Sequence, residues 1–117
     1  PSSLLLALMA SGANGQSFAF KGYLPSEKDG RIQALKALEQ HSRKHGETQI
    51  FIETPYRNDA LLADAVGQLH PATRLCVACD LTLPTQTIIS KAVADWRKLK
   101  EMPNLKKRPA IFVLYAA

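Results

Sequence analysis

Apolar residues in this chain switch period repeatedly. Short alternating or continuous runs give way to stripes spaced three and four apart, and then return. A chain patterned this way is confined to an α/β layering, with helices laid over a sheet. Residues 2–11 read as a helix that is apolar almost all round and therefore well buried, ended by Gly12 before the Asn14-Gly15 turn signal. Residues 17–21 alternate, with Phe18 and Phe20 on one strand face. Ser26 with Asp29 resembles a capping box, and Ile32, Ala34, Leu35 and Leu38 form a helical stripe that Gly46 stops. Residues 48–53 form a strand, which Thr54-Pro55 turns into an extended loop. Asn58 is a suitable N-cap for a helix carrying Leu61, Leu62, Ala65, Val66 and Leu69, with Pro71 just beyond its end.

Residues 74–79 and 110–115 are nearly continuous apolar runs, as central strands would be. Residues 85–89 follow Pro84 and read as an edge strand, after which Ser90 would cap a helix running to Lys100. The expected fold is an α/β, three-layer domain. Its sheet of about five strands is mostly parallel or mixed, with four helices flanking it. Strands separated by helices favour parallel pairing.

The 117 residues are the size of one domain. With 46% hydrophobic residues, folding needs neither disulfides nor a metal. No apolar run reaches the ~18–20 residues of a membrane span. Cys76 and Cys79 have C-x-x-C spacing, but both fall within one strand, where positions three apart point to opposite faces. The expectation is two buried, reduced thiols in a cytoplasmic protein. His41 and His45 sit four apart on a helix, yet beside Arg43 and Lys44, which repel a cation, and no third ligand is evident. No metal site is expected.

The formal charge of +5 is uneven. Lys91, Arg97, Lys98, Lys100, Lys106, Lys107 and Arg108 stand against Asp95 and Glu101. Such a segment suits a phosphate backbone, or it is a solvated helix and loop. Two polar clusters follow strands directly: Glu53-Thr54-Pro55-Tyr56-Arg57 and Asp80-Leu81-Thr82. Ligands of open α/β sheets gather beyond the carboxyl ends of strands, so these clusters would meet in one crevice. Their alternative role is to cap loose backbone groups. No glycine-rich dinucleotide fingerprint, P-loop or serine nucleophile elbow is present.

Several segments, in order, carry a resemblance. Pro1-Ser2-Ser3 resembles the start of the C-terminal domain of the tetrapyrrole-methylase superfamily. Lys21-Gly22-Tyr23-Leu24-Pro25 with downstream Arg31 resembles the Gly-aromatic-Leu-Pro segment of its bacterial small-subunit ribosomal RNA 2′-O-methyltransferase subfamily. Glu53-Thr54-Pro55-Tyr56-Arg57 is similar to that subfamily's Glu-Ser-Pro-His-Arg, and Asp80-Leu81-Thr82 to its Glu-Leu-Thr. Residues 108–113 are similar to the superfamily's last strand.

The resemblance implies the C-terminal half of a two-domain methyltransferase, residues 1–117, with S-adenosylmethionine in the cleft between the domains. By carry-over, Ser2 and Ser3 lie near its methionine end. Glu53 and Thr54 lie beside the adenosine, and Leu81 and Ala110 meet the adenine through backbone. Lys21, Arg31 and Arg57 are the matched basic candidates for contacting RNA phosphate. No catalytic base is identified. The resemblance also implies a homodimeric protein acting on ribosomal RNA, without membrane association. The sequence departs from the subfamily at Tyr56, in place of His, at Thr85-Gln86-Thr87, in place of His-Glu-Glu, and at Ser90-Lys91, in place of Arg-Gly. These departures leave two alternatives open: methylation of a tetrapyrrole or other small molecule, and a non-catalytic RNA-binding domain.

Overall fold

The computed structural model describes residues 6–8, 11, 12 and 17–116. Five strands form one sheet: β1 (Phe18–Tyr23), β2 (Thr48–Ile52), β3 (Arg74–Cys79), β4 (Thr87–Ala92) and β5 (Ala110–Tyr115). Between them lie α1 (Lys28–His45), α2 (Asn58–Gln68) and the single turn α3 (Val93–Trp96). The spatial order is β1-β2-β5-β3-β4.

The sheet is mixed, and only β1 and β2 pair in parallel. The preference for parallel pairing is corrected by two connections. The segment between β3 and β4, residues 80–86, is too short for a crossover and returns the chain antiparallel. The last strand, β5, then enters between β2 and β3, antiparallel to both.

The pleat sorts the core onto two faces. Phe51, Leu75, Val77, Cys79, Phe112 and Leu114 meet residues of α1, α2 and α3 on one side. Ile50, Cys76, Ala78 and Val113 meet Ala7 and Leu8, from the helical residues 6–8, on the other. This is the expected three-layer arrangement. Phe51 and Phe112 are cross-strand partners, their rings stacked at 5.6 Å with 7° between planes. Such a pair adds about 1 kcal/mol beyond the area it buries.

Helix α1 presents Arg31, Leu35, Glu39 and Ser42 inward, one stripe at helical spacing. Three of the four are polar, and each is satisfied. The Nε and Nη2 of Arg31 both lie 2.7 Å from Asp64 Oδ2 on α2, and its Nη1 donates to the Ser26 carbonyl. Glu39 accepts from the His70 N–H and the Thr73 hydroxyl. Ser42 accepts from the Ala116 N–H at 2.9 Å. These bonds fasten α1 to α2 and to the end of β5.

Three expected caps differ. Glu27 occupies the N-cap of α1, and Ser26 contributes its carbonyl to Arg31 instead. Arg57 precedes α2, while Asn58 lies inside it and donates to the Arg108 carbonyl at 2.7 Å. Ser90 lies in the middle of β4, opposite Cys76, and donates to the Ser11 carbonyl at 2.7 Å. The expected helix from Ser90 to Lys100 shrinks to α3, because pairing with β3 holds residues 87–92 extended. Gly46 does stop α1, at φ +64° with its N–H on the Ser42 carbonyl, a left-handed conformation that suits glycine.

Burial alone would raise the Asp64 carboxyl, but hydrogen bonds from Lys28 and Arg31 outweigh it and hold the group below its ordinary 3.8. A carboxyl lowered in the folded state stabilises above its unfolded value, and the effect fades as pH falls through the folded one. Asp64→Asn should therefore cost about 3 kcal/mol at neutral pH in urea denaturation. That difference should shrink as the pH is taken below 3.8.

Cys76 and Cys79 are buried on opposite faces, as the strand period requires. Burial pushes the Cys76 thiol up to about 11 and raises Cys79 as well. A thiol-reactive dye at neutral pH should modify neither until denaturant opens the fold; mass spectrometry of the native and denatured protein checks this.

Candidate functional site at the strand ends

The register lines up one edge of the sheet. Tyr23 pairs with Ile52, Ile52 with Ile111, and Cys79 with Ala110. The carboxyl ends of β1, β2 and β3 and the amino end of β5 therefore finish together. A pocket of about 370 Å³ opens there. Ile52, Ala78, Leu81, Ala110 and Ile111 give it apolar walls, and Glu53 and Asp80 are its acidic members. The two polar clusters following β2 and β3 thus meet in one crevice.

Glu53 is 5% exposed. Its Oε1 accepts the Thr54 N–H at 2.7 Å and lies 3.2 Å from the Nε of Arg57. Its Oε2 is buried without a partner among the described residues. A buried carboxylate oxygen left without a donor is expensive, and beside a pocket it suits a ligand that brings one.

Asp80 closes the other side. It has φ +52°, and its N–H donates to the Pro109 carbonyl at 3.0 Å. Its Oδ2 accepts from the Arg108 Nε at 2.7 Å and from the Thr85 hydroxyl at 2.9 Å. Arg108 also donates to the carbonyls of Asn104 and Thr85 and to the Thr87 hydroxyl. One guanidinium thereby binds residues 80–87 to residues 104–108. The hydrogen bond from Arg108 holds the Asp80 carboxyl below its usual range.

The sequence-predicted residues divide. Glu53, Leu81 and Ala110 line the pocket. Thr54 stands beside it, its N–H engaged by Glu53. Ser2 and Ser3 lie outside the described residues. Arg57 is half-exposed on Glu53, and Lys21 is exposed on β1. Arg31 is buried against Asp64, so its guanidinium is held within the fold and not offered to a phosphate.

The departures from the subfamily are absorbed locally. Thr85 bonds Asp80, the Gln86 Oε1 accepts the Thr82 N–H at 2.8 Å, and Thr87 accepts from Arg108. Tyr56 is 74% exposed. Sequence reasoning did not assign Tyr23, Leu83 and Pro109 to the walls, and it counted Arg108 with the phosphate-binding cations. The Gly-Tyr-Leu-Pro segment ending β1 was the available signal for Tyr23. Nothing local marks Arg108 as the partner of Asp80, 28 residues away.

Arg108→Ala should release both loops. Amide hydrogen exchange over residues 80–87 should accelerate at neutral pH. The gap to the parent protein should narrow, without closing, as pH falls through the lowered Asp80 value, because the contribution of the depressed carboxyl is lost in that direction while the bonds of Arg108 to Asn104, Thr85 and Thr87 remain.

No protein-family model matches the chain. The ribosomal RNA small subunit methyltransferase I of Escherichia coli O157:H7 is 32% identical over 117 residues, covering 97% of the chain and 39% of that protein. Its counterpart in Pseudomonas aeruginosa is 34% identical over 114 residues, again 97% of the chain and 39% of the protein. The chain thus spans well under half the length of the curated relatives it matches. Among solved structures, the methyltransferase CobJ superposes with a TM-score of 0.63 at 15% identity, over 99% of the chain and 48% of CobJ. The cobalt precorrin-4 methyltransferase CbiF gives 0.61 at 14% identity, over 97% of the chain and 48% of CbiF. Those two likenesses establish the fold. In sequence the chain is similar to one part of the ribosomal RNA small subunit methyltransferase I proteins.

Proposed function

We propose that the chain is the C-terminal half of an S-adenosylmethionine-dependent methyltransferase acting on a 2′-hydroxyl of ribosomal RNA, with the strand-end pocket forming one wall of the cofactor cleft. The observation that carries this reading is the buried, unpartnered Oε2 of Glu53 beside an apolar pocket. The two hydroxyl donors of an adenosine ribose suit that oxygen, and the apolar walls suit an adenine. The names of the sequence relatives supply the acceptor class.

In this reading the chain's contribution is positioning and exclusion of water. Arg57 and the Thr54 N–H hold Oε1, which leaves Oε2 directed to the ligand. Leu81 and Ala110 offer backbone groups and apolar surface to the base. Ser2 and Ser3 would serve the methionine end. The sulfonium of the cofactor supplies a methyl group already activated for displacement. Lys21 and Arg57, both exposed, would be the cations that meet phosphate, and no residue is assigned as the base for the ribose hydroxyl. Among the described residues no helix is long and apolar enough to cross a membrane. A cytoplasmic homodimer completes the proposal.

Calorimetric titration of S-adenosylhomocysteine tests it. The natural protein carrying this chain should bind at micromolar concentration, and the 117-residue chain alone far more weakly. Glu53→Gln in the natural protein should weaken binding about tenfold, as expected when one charge-assisted hydrogen bond is removed. A folded protein that binds none would overturn the methyltransferase reading.

A further inference from the structure

The basic residues of the segment from Lys91 to Arg108 do two different things. Both arginines are built into the fold. Arg97 donates to the Val66 and Leu69 carbonyls at the end of α2, and Arg108 holds Asp80. The lysines are left over. Lys98 only approaches Asp95, at 3.9 Å, and Lys91, Lys100, Lys106 and Lys107 make no ion pair among the described residues.

One of these lysines, Lys91, lines a second hollow, larger and more open than the first, of about 680 Å³, and the others are close in sequence to its lining residues. Its floor is apolar: Ile88 and Ile89 from the edge strand β4, then Leu99, Met102 and Pro103. Lys91 lines it directly. Lys98 and Lys100 flank Leu99 in sequence, and Lys106 and Lys107 follow Asn104, another lining residue. Glu101 is the acidic residue on its lining. Lys91 on the lining, with the exposed Lys98, Lys100, Lys106 and Lys107 close to that lining in sequence, suits the phosphates of a single nucleic-acid strand laid over the apolar floor. The hollow is also tied to the strand-end pocket. Arg108 donates to Asn104, which lines the hollow, and to Asp80, which lines the pocket.

We propose that this hollow between β4 and residues 99–104 is a docking groove for single-stranded RNA, separate from the pocket at the strand ends. The proposal rests on the RNA methyltransferase reading for its ligand class, and on the placement of the lysines for its location. The groove holds a stretch of strand flanking the reacting nucleotide, and the Arg108 bridge keeps the two sites in fixed relation.

The test is fluorescence anisotropy of a labelled single-stranded RNA with the natural protein, over a range of salt concentrations. Lys106→Ala with Lys107→Ala should weaken binding at least tenfold and flatten the salt dependence by about 0.7 for each phosphate no longer neutralised. Lys91→Ala should act in the same direction. Lys36→Ala with Lys44→Ala, exposed positions on α1, should leave both quantities unchanged. The groove is overturned if the two double variants behave alike. It is equally overturned if the groove variants bind RNA as the parent does, the lysines then serving only to keep an edge strand from pairing. Polyglutamate competing as well as RNA for the same lysines would also overturn it. S-adenosylhomocysteine titrated into the same variants separates the two proposals. Cofactor binding without RNA binding sinks the groove alone, and lysine-dependent RNA binding without cofactor binding sinks the methyltransferase reading alone.

Discussion

The insertion of β5 between β2 and β3 is the constraint on which everything else depends. Without it the sheet falls into a parallel pair, β1 with β2, and a hairpin, β3 with β4. Its residues alternate between the two cores. Phe112 and Leu114 join the helices α1, α2 and α3, and Val113 joins Ala7 and Leu8. Its amino end also sets Ala110 and Ile111 in line with Ile52 and Cys79, which creates the edge where the pocket forms. A strand that arrives last in the chain and closes the middle of the sheet makes core and site depend on one late, non-local pairing.

Polar groups do the locating within that frame. Arg31, Glu39 and Ser42 on the inner stripe of α1 reach Asp64, Thr73 and Ala116, and they fix where the helix sits more sharply than apolar contact could. The pairing of Asp80 with Arg108 does the same for the two loops bounding the pocket. These bonds stabilise modestly on balance, but a buried group deprived of its partner is costly, so alternative packings are penalised. Gln49, Glu53 and Asn58 each keep one buried oxygen without a partner among the described residues, and of the three Glu53 lines the pocket.

Much of this was legible in the residues. The apolar runs at 74–79 and 110–115 are central strands, and the helical stripe after residue 28 is α1. The placing of Cys76 and Cys79 on opposite faces follows from strand period. The gathering of the Glu53 and Asp80 clusters follows from their positions after strands. Less visible was everything set by partners distant in sequence. Ser90 looks like a helix cap until β3 claims its strand. Arg31 and Arg108 look like free cations until Asp64 and Asp80 are found beside them. The alternation of Phe18 and Phe20 marks a strand correctly, yet both are more than 40% exposed, because β1 is an edge.

By itself the sequence determined the α/β class, the identity of most elements and the clustering of polar residues at strand ends. Those follow from local periodicity, which each segment carries within its own few residues. Only the tertiary structure decided the direction of pairing, the central place of β5 and the division of the cations. Two arginines serve the loops and helix ends, while Lys91 lines the second hollow and Lys98, Lys100, Lys106 and Lys107 are exposed. The physical reason is that strand order and ion pairing are contests between segments far apart in the chain, and geometry settles them only once the segments meet.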